Sequence, residues 1–267
     1  FKGTRAHGLF KTAPVQTPIT IKHLLTHTAG LTYGFFSNTA VDKRYNTNHP
    51  LWSSTNQEFI AKLTKHPLLY EPGTQWHYSV ATDVLGHLIE RVSGKPLGVF
   101  LEESIFKPLK MSDTSFHIEN RKINRFASSY GAKRNTVDRF KSSPYKRTDR
   151  IQSGGGGLIS TASDYLRFCQ LILNGGELDG LRLVSRKTIR EMTQNQLPKG
   201  VYAYTHFGFG YGFMIQPSNW GNRAKKGELS WNGAASTHFW ITPSEQLIVI
   251  ALSQRQPYSN RLKKTIK

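Results

Sequence analysis

The chain has 267 residues, 37% of them hydrophobic, with 23 Gly and 12 Pro, which is ordinary for a globular enzyme and long enough to bury a core. Its 36 Lys and Arg against 17 Asp and Glu give +19, densest from Arg121 to Arg150. That charge admits association with anionic surfaces, but without aromatic interleaving or a nucleic-acid module it gives no ground for an obligatory nucleic-acid partner. No apolar run reaches membrane-spanning length, and the single Cys169 excludes an internal disulfide, leaving compartment and oligomeric state open.

In chain order, Phe1 to Pro18 is polar and punctuated by Gly and Pro, the pattern of a loop or frayed segment. A short helix is predicted from Pro18 through Leu25, running out near Thr26-His27-Thr28-Ala29-Gly30-Leu31. His27, flanked by Thr, reads as a ring bonded to backbone groups rather than as a catalytic group. Tyr33 to Thr55 is rich in Asn, Ser, Thr and aromatics, the profile of a long surface loop that walls a pocket. Asn56 to Thr64 predicts a helix with Phe59, Ile60 and Leu63 inward.

The turn Glu71-Pro72-Gly73 leads into the run Trp76-His77-Tyr78, and a helix starts at or just after Ser79. Val80, Ala81, Val84, Leu85, Leu88, Ile89 and Val92 keep the i, i+4 spacing of one buried face, and Gly94 stops the helix. Tyr78 therefore sits where a loop meets a rigid helix, a placement that fixes a phenol for chemistry. A second helix opens with Pro96 in its first turn and Leu97, Phe100, Leu101 and Ile105 as its apolar face.

Arg121 to Arg150 has no clean period and predicts strands or surface loops. The glycine run from Gly154 to Gly157 lacks the Lys-Ser/Thr that completes a phosphate loop, so it reads as close backbone approach to a pocket. Ser163 or Asp164 is expected to cap a helix through Leu173, and Val184 to Gln194 predicts another. The period then switches: Phe207 to Ile215, Gly227 to Trp231, Ser236 to Thr242 and Gln246 to Ser253 read as antiparallel strands, with a hairpin turn at Pro243 to Gln246. Trp231-Asn232-Gly233-Ala234-Ala235 lies between two of them and alone would mean only a turn.

Several of these stretches together resemble one family. Tyr78-Ser79-Val80-Ala81 with Asp83-Val84-Leu85-Gly86 is similar to the second motif of the serine β-lactamase-like hydrolases. That group spans class C β-lactamases, DD-peptidases and family VIII carboxylesterases. Leu24 to Leu31, Pro108 to Thr114 and Gly156 to Asp164 are similar to further family stretches. Trp231-Asn232-Gly233 resembles the third motif, Lys-Thr-Gly in lactamases and Trp-Gly-Gly or His-x-Gly in esterase-like members. The resemblance runs from about Ile19 to about Gln254 and looks most like the esterase branch. Val80 and Trp231 stand where lactamases carry Asn and Lys, which argues against efficient β-lactam turnover.

The resemblance implies an α+β fold of β-lactamase/DD-peptidase type: an antiparallel sheet flanked by helices plus a mostly helical subdomain. Residues 1–200 are expected to form the helical part and 201–267 the C-terminal strands, with Tyr78 facing the sheet edge. It also implies a serine that attacks an acyl carbon, kept deprotonated by a Lys one turn on and a Tyr phenolate, with two N–H groups holding the oxyanion. Tyr78 takes the place of that base and the Ala234 N–H of one oxyanion donor. Trp76, Trp231, Asn232 and Gly233 contact a small acyl substrate, and the chemistry needs no cofactor and no metal.

In the family a Ser-x-x-Lys helix precedes the Leu24 to Leu31 stretch, and nothing up to His23 fits it. The nucleophile, its Lys and the first sheet strands are therefore expected to be absent from these residues. Ser143-Pro144-Tyr145-Lys146 has the spacing, but no apolar-periodic helix follows, so it reads as chance. Two other classes stay open. One is a catalytically inactive β-lactamase-like protein that binds peptidoglycan or an acyl ligand; the other is a basic nucleic-acid-binding protein, which rests on charge alone.

Overall fold

The computed structural model describes residues 1–3, 10–133, 136–139, 143–221 and 223–266. Parts of the expected N-terminal loop (4–9) and of the basic stretch (134–135 and 140–142) therefore lie outside the described residues.

Local side-chain bonds start most of the helices. Thr20 caps α1 (Ile21–Leu25), accepting from the His23 N–H. Thr39 and Asp42 form a reciprocal capping box at α2 (Ala40–Thr47), and Thr55 caps α3 (Asn56–Leu63). The next helix, α4 (Ala81–Ser93), has no side-chain cap and ends at Gly94, whose left-handed φ of 68° glycine adopts without steric cost. After it, α5 (Leu97–Leu101) runs into a widened turn over Glu102–Phe106. Strands β1 (Tyr130–Lys133) and β2 (Thr136–Arg139) pair antiparallel.

Thr161 caps α6 (Ala162–Leu173), a short hairpin of β3 (Glu177–Leu178) and β4 (Leu181–Arg182) follows, and Ser185 caps α7 (Arg186–Thr193). The remaining strands are β5 (Gly208–Phe209), β6 (Met214–Ile215), β7 (Leu229–Asn232), β8 (His238–Thr242), β9 (Leu247–Ala251) and β10 (Arg255–Gln256), before α8 (Arg261–Ile266).

Three expectations about single helices need correction. The stretch from Tyr33 to Thr55 is not all loop: α2 forms inside it because its capping box satisfies the first turn and Val41 and Tyr45 are buried. The α6 cap is Thr161, not Ser163 or Asp164; the Thr161 hydroxyl takes the Asp164 N–H at 3.2 Å. On α4 the fully buried face carries Ala81, Asp83 and Gly86, whereas Val92 is 81% exposed.

By internal packing the chain forms two compact units that interleave along the sequence. One comprises Phe1–Phe100, Asp149–Gly157 and Asn195–Gly212; the other comprises Leu101–Thr148, Leu158–Gln194 and Phe213–Lys267. In the first, α1 and α3 pack on α4 around Leu24, Ala29, Val41, Tyr45, Phe59, Val80 and Ala81. In the second, β6 to β9 form an antiparallel meander with Trp231 opposite Phe239 and Asn232 opposite His238. Cys169 and Ile172 of α6 and Ile189 of α7 pack with Phe213, Leu229, Phe239 and Ile241 of the sheet side. Burying each large apolar side chain of that layer stabilises by about 1.5–3 kcal/mol. The helices α6 and α7 thus belong with the strands, so the compact units do not divide near residue 200: the apolar face of α6 has its covering in the sheet. The chain is a mixed α+β structure, helices flanking an antiparallel sheet in the second unit and helices predominating in the first.

Candidate active site

Residues 27–30 and 69–77 zip together through their backbones. The Leu69 N–H donates to Gly30 O at 2.8 Å, Gly73 N–H to Thr28 O at 2.8 Å, and His77 N–H to His27 O at 2.9 Å. This pairing delivers the chain to Tyr78 from one side, and α4 takes it away on the other. Around the Tyr78 ring stand His27 edge-on at 4.8 Å, Tyr33 at 5.0 Å, Phe36 at 5.5 Å and Trp76 nearly parallel at 6.4 Å. His27 is buried in an unusual backbone conformation, φ 55°, and burial followed by the neighbouring His77 lowers its pKa to about 3. Among the described residues its ring bonds no backbone group: Nδ1 lies 3.5 Å from the Ser79 hydroxyl, and its carbonyl does the pairing.

Behind Tyr78 lies a buried carboxylate. Asp83 is fully buried on α4; one oxygen accepts from the Ser153 hydroxyl and from the Gly155 N–H at 3.2 Å, and the other from the Tyr33 hydroxyl at 3.5 Å. Burial raises its pKa, while the bonds from Ser153 and Gly155 oppose the rise. Tyr33 is held well above the usual phenol range by burial, then by the Asp83 charge and by the neighbouring Tyr78. The glycine run serves this arrangement rather than a phosphate. A Cβ on Gly154 would overlap the Thr82 carbonyl, and one on Gly155 would lie 2.6 Å from Tyr33 Oη and 2.7 Å from Asp83 Oδ2.

In the second unit, β7 ends at Trp231 and Asn232, both half-buried, and Gly233 turns the chain toward β8. Gly233 N–H donates to Thr237 O at 2.8 Å and Ser236 N–H to Gly233 O at 3.0 Å. Asn232 Oδ1 meets His238 Nδ1 at 2.7 Å. The far side of the turn is pinned by Arg255 N–H to Ala235 O at 3.0 Å and by Ser236 Oγ to Arg255 O at 2.9 Å. Ala234 is exposed, and among the described residues its N–H makes no hydrogen bond. An exposed amide in a turn pinned on both sides is a suitable donor for oxyanion stabilisation. Of the predicted site residues, Tyr78 and Trp76 stand together in the first unit, and Trp231, Asn232, Gly233 and Ala234 together in the second.

Ser143 opens a short turn, Pro144–Lys146, and accepts the Tyr145 N–H at 3.3 Å; no α-helix carries its Lys. The same spacing occurs at Ser104-Ile105-Phe106-Lys107, which sequence reasoning overlooked. Ser104 is exposed in the widened turn, and Lys107 pairs with Glu102 at 3.1 Å. Neither setting resembles a buried nucleophile and base. Tyr33, Asp83 and Ser153 were also not assigned from sequence. A carboxylate on the inner face of an otherwise apolar helix was the available signal. Among the described residues no cluster of His, Cys, Asp or Glu is suited to a metal, and no helix is long and apolar enough to cross a membrane.

Residues 9–266 match the sequence profile of the family described as Beta-lactamase. The chain belongs to the beta-lactamase family. Within it, Protein Rv1367c of Mycobacterium tuberculosis is 32% identical, the match covering 94% of this chain and 66% of that protein. The monacolin J acid methylbutanoyltransferase of Aspergillus terreus is 28% identical, over 91% of this chain and 63% of the relative. Esterase EstB of Burkholderia gladioli is 29% identical, over 88% and 64%. The chain therefore spans 63% to 66% of the length of these beta-lactamase relatives. The solved LovD6 mutant of the Aspergillus terreus simvastatin synthase superposes with a TM-score of 0.84 at 23% identity, covering 99% of this chain and 68% of that one. The beta-lactamase-type fold is thus shared, and the family members similar to this chain include esterases and acyltransferases.

Proposed function

We propose that these residues belong to a serine hydrolase of the esterase type, acting on esters or related small acyl substrates through an acyl-enzyme. The observation that carries the reading is Tyr78: a half-buried phenol fixed between the zipped 27–30 and 69–77 segments and α4, its ring 5.0 Å from that of the buried Tyr33. In this reading Tyr78 is the base, Trp76 lies along the substrate beside it, and the Ala234 N–H is an oxyanion donor presented by Trp231, Asn232 and Gly233. The names of the relatives, an esterase and a methylbutanoyltransferase, support acyl chemistry. Trp231 in place of a Lys removes the charge-assisted contact that a β-lactam carboxylate needs, so cephalosporins are poor substrates.

Neither Ser104 nor Ser143 is the nucleophile, and the 267 residues alone turn over no ester. Fluorophosphonate labelling with peptide mapping tests both statements. The full-length gene product is expected to label at a serine followed three residues later by Lys, other than these two, and to hydrolyse short p-nitrophenyl esters. Rapid cephalosporin hydrolysis with the esters untouched would overturn the esterase reading. Labelling at Ser104 or Ser143 would overturn the dismissal of those positions. A product that neither labels nor turns over, yet binds an acyl ligand, would be a binding protein.

A further inference from the structure

The inner face of α4 carries an ionisable side chain that the proposed chemistry does not use. A carboxylate buried without partners is costly, so the bonds to Asp83 describe what it is for. Resting on the reading of Tyr78 as base, we infer that Asp83 is a positioning residue: anchored by Ser153 and Gly155, it holds the Tyr33 hydroxyl beside the Tyr78 phenol.

The geometry has three parts. Ser153 donates to Asp83 Oδ1 and in turn accepts the Gly156 N–H at 3.2 Å, so the carboxylate is tied to a loop that is itself folded around Ser153. Gly154 and Gly155 press this loop against α4 where no side chain fits, which leaves the carboxylate little freedom to rotate. The oxygen left over, Oδ2, faces the Tyr33 hydroxyl, and the Tyr33 ring lies 5.0 Å from that of Tyr78.

The consequence is a division of labour between two phenols. Tyr33 is 7% exposed and faces a carboxylate, both of which disfavour a phenolate there. Tyr78 is half-buried, with His27, kept neutral by burial, edge-on against its ring. Of the pair, Tyr33 keeps its proton as a hydrogen-bond donor, which leaves the role of base to Tyr78. Asp83 thereby acts through Tyr33 and touches no substrate.

A thermodynamic cycle of D83N, Y33F and the double variant separates this role from a purely structural one. Asn keeps an acceptor for Ser153 and Gly155 but loses the charge. Tyrosine 13Cζ NMR of the chain is expected to show D83N shifting the Tyr78 resonance and its titration when Tyr33 is present, and adding nothing in the Y33F background. In the full-length gene product, D83N and Y33F are each expected to lower kcat for a p-nitrophenyl ester about ten- to a hundredfold with KM little changed. The double variant should be no slower than Y33F. A Tyr78 resonance unmoved by D83N, or losses in kcat that multiply, overturns the inference. If D83N does not fold, S153A, which removes only the anchoring hydroxyl, takes its place in the cycle and is read in the same way. Y78F is the control: wild-type kcat in Y78F removes the reading of Tyr78 as base, whereas inactive Y78F beside fully active D83N removes only the role of Asp83.

Discussion

A methyl group at residue 155 would be caught between Tyr33 Oη and Asp83 Oδ2, at 2.6 Å and 2.7 Å, and both atoms belong to side chains held in place from behind. G155A is therefore expected to lose about 1–3 kcal/mol of stability, the usual cost of overpacking. G156A, with nothing within 4 Å of the added carbon, should melt close to wild type. Equal melting temperatures for the two variants would refute the close approach. His27 gives a pH dependence with a definite sign. Its folded pKa is about 3, against about 6.5 in an unfolded chain, so between these values only the unfolded chain binds the proton. Stability is then unaffected by His27 above about pH 6.5 and falls as pH drops toward about 3, by at most about 1.4 kcal/mol per pH unit. His66, His77 and His238 are shifted in the same direction by burial and add to the slope. Urea midpoints of H27Q should fall less steeply with acidification in this window; an unchanged slope would clear His27 of the effect.

Among the elements, α6 is held at its start by two devices. Thr161 caps it, and Asp164 one turn in accepts the Asp113 N–H at 2.7 Å and the Thr114 hydroxyl at 2.8 Å, tying that segment to the helix. T161A should cost about 1 kcal/mol, measured by denaturant midpoint, with T161S close to wild type. Where a strong period and a stop signal coincide, sequence was a good guide: α4 ends at Gly94 as expected, β8 and β9 fall inside the expected stretches, and β7 overruns its own by one residue, Asn232. The miss at α2 has a physical cause, since a helix that buries only Val41, Asp42 and Tyr45 shows little apolar periodicity. The inner face of α4 was misread for the opposite reason. Counting apolar residues favours Val92 and passes over Asp83, because nothing local shows that a carboxylate has its bonds supplied by residues 50 and 70 positions away. The place of Tyr78 at a loop–helix junction was legible because it is local; the contacts of Tyr33 and Ser153 with Asp83 were not, because they are non-local.

At the scale of the whole molecule, the charge of +19 predicts that the protein sediments with anionic phospholipid vesicles at low salt and is released as ionic strength rises. Binding that is indifferent to salt would point to something other than charge. The two interleaved units carry a different implication, for synthesis. A ribosome adds roughly 5–20 residues per second, so about 3–11 s separate the emergence of Phe100 from that of Ser153. During this interval the nascent α4 presents Asp83 without Ser153 or Gly155, and Gly86 without the glycine loop that lies against it. The first hundred residues therefore spend seconds as an unfinished surface that no local contact completes. A chaperone that shelters the emerging chain until Asn195–Gly212 has been made would matter more to its yield than any single stabilising substitution.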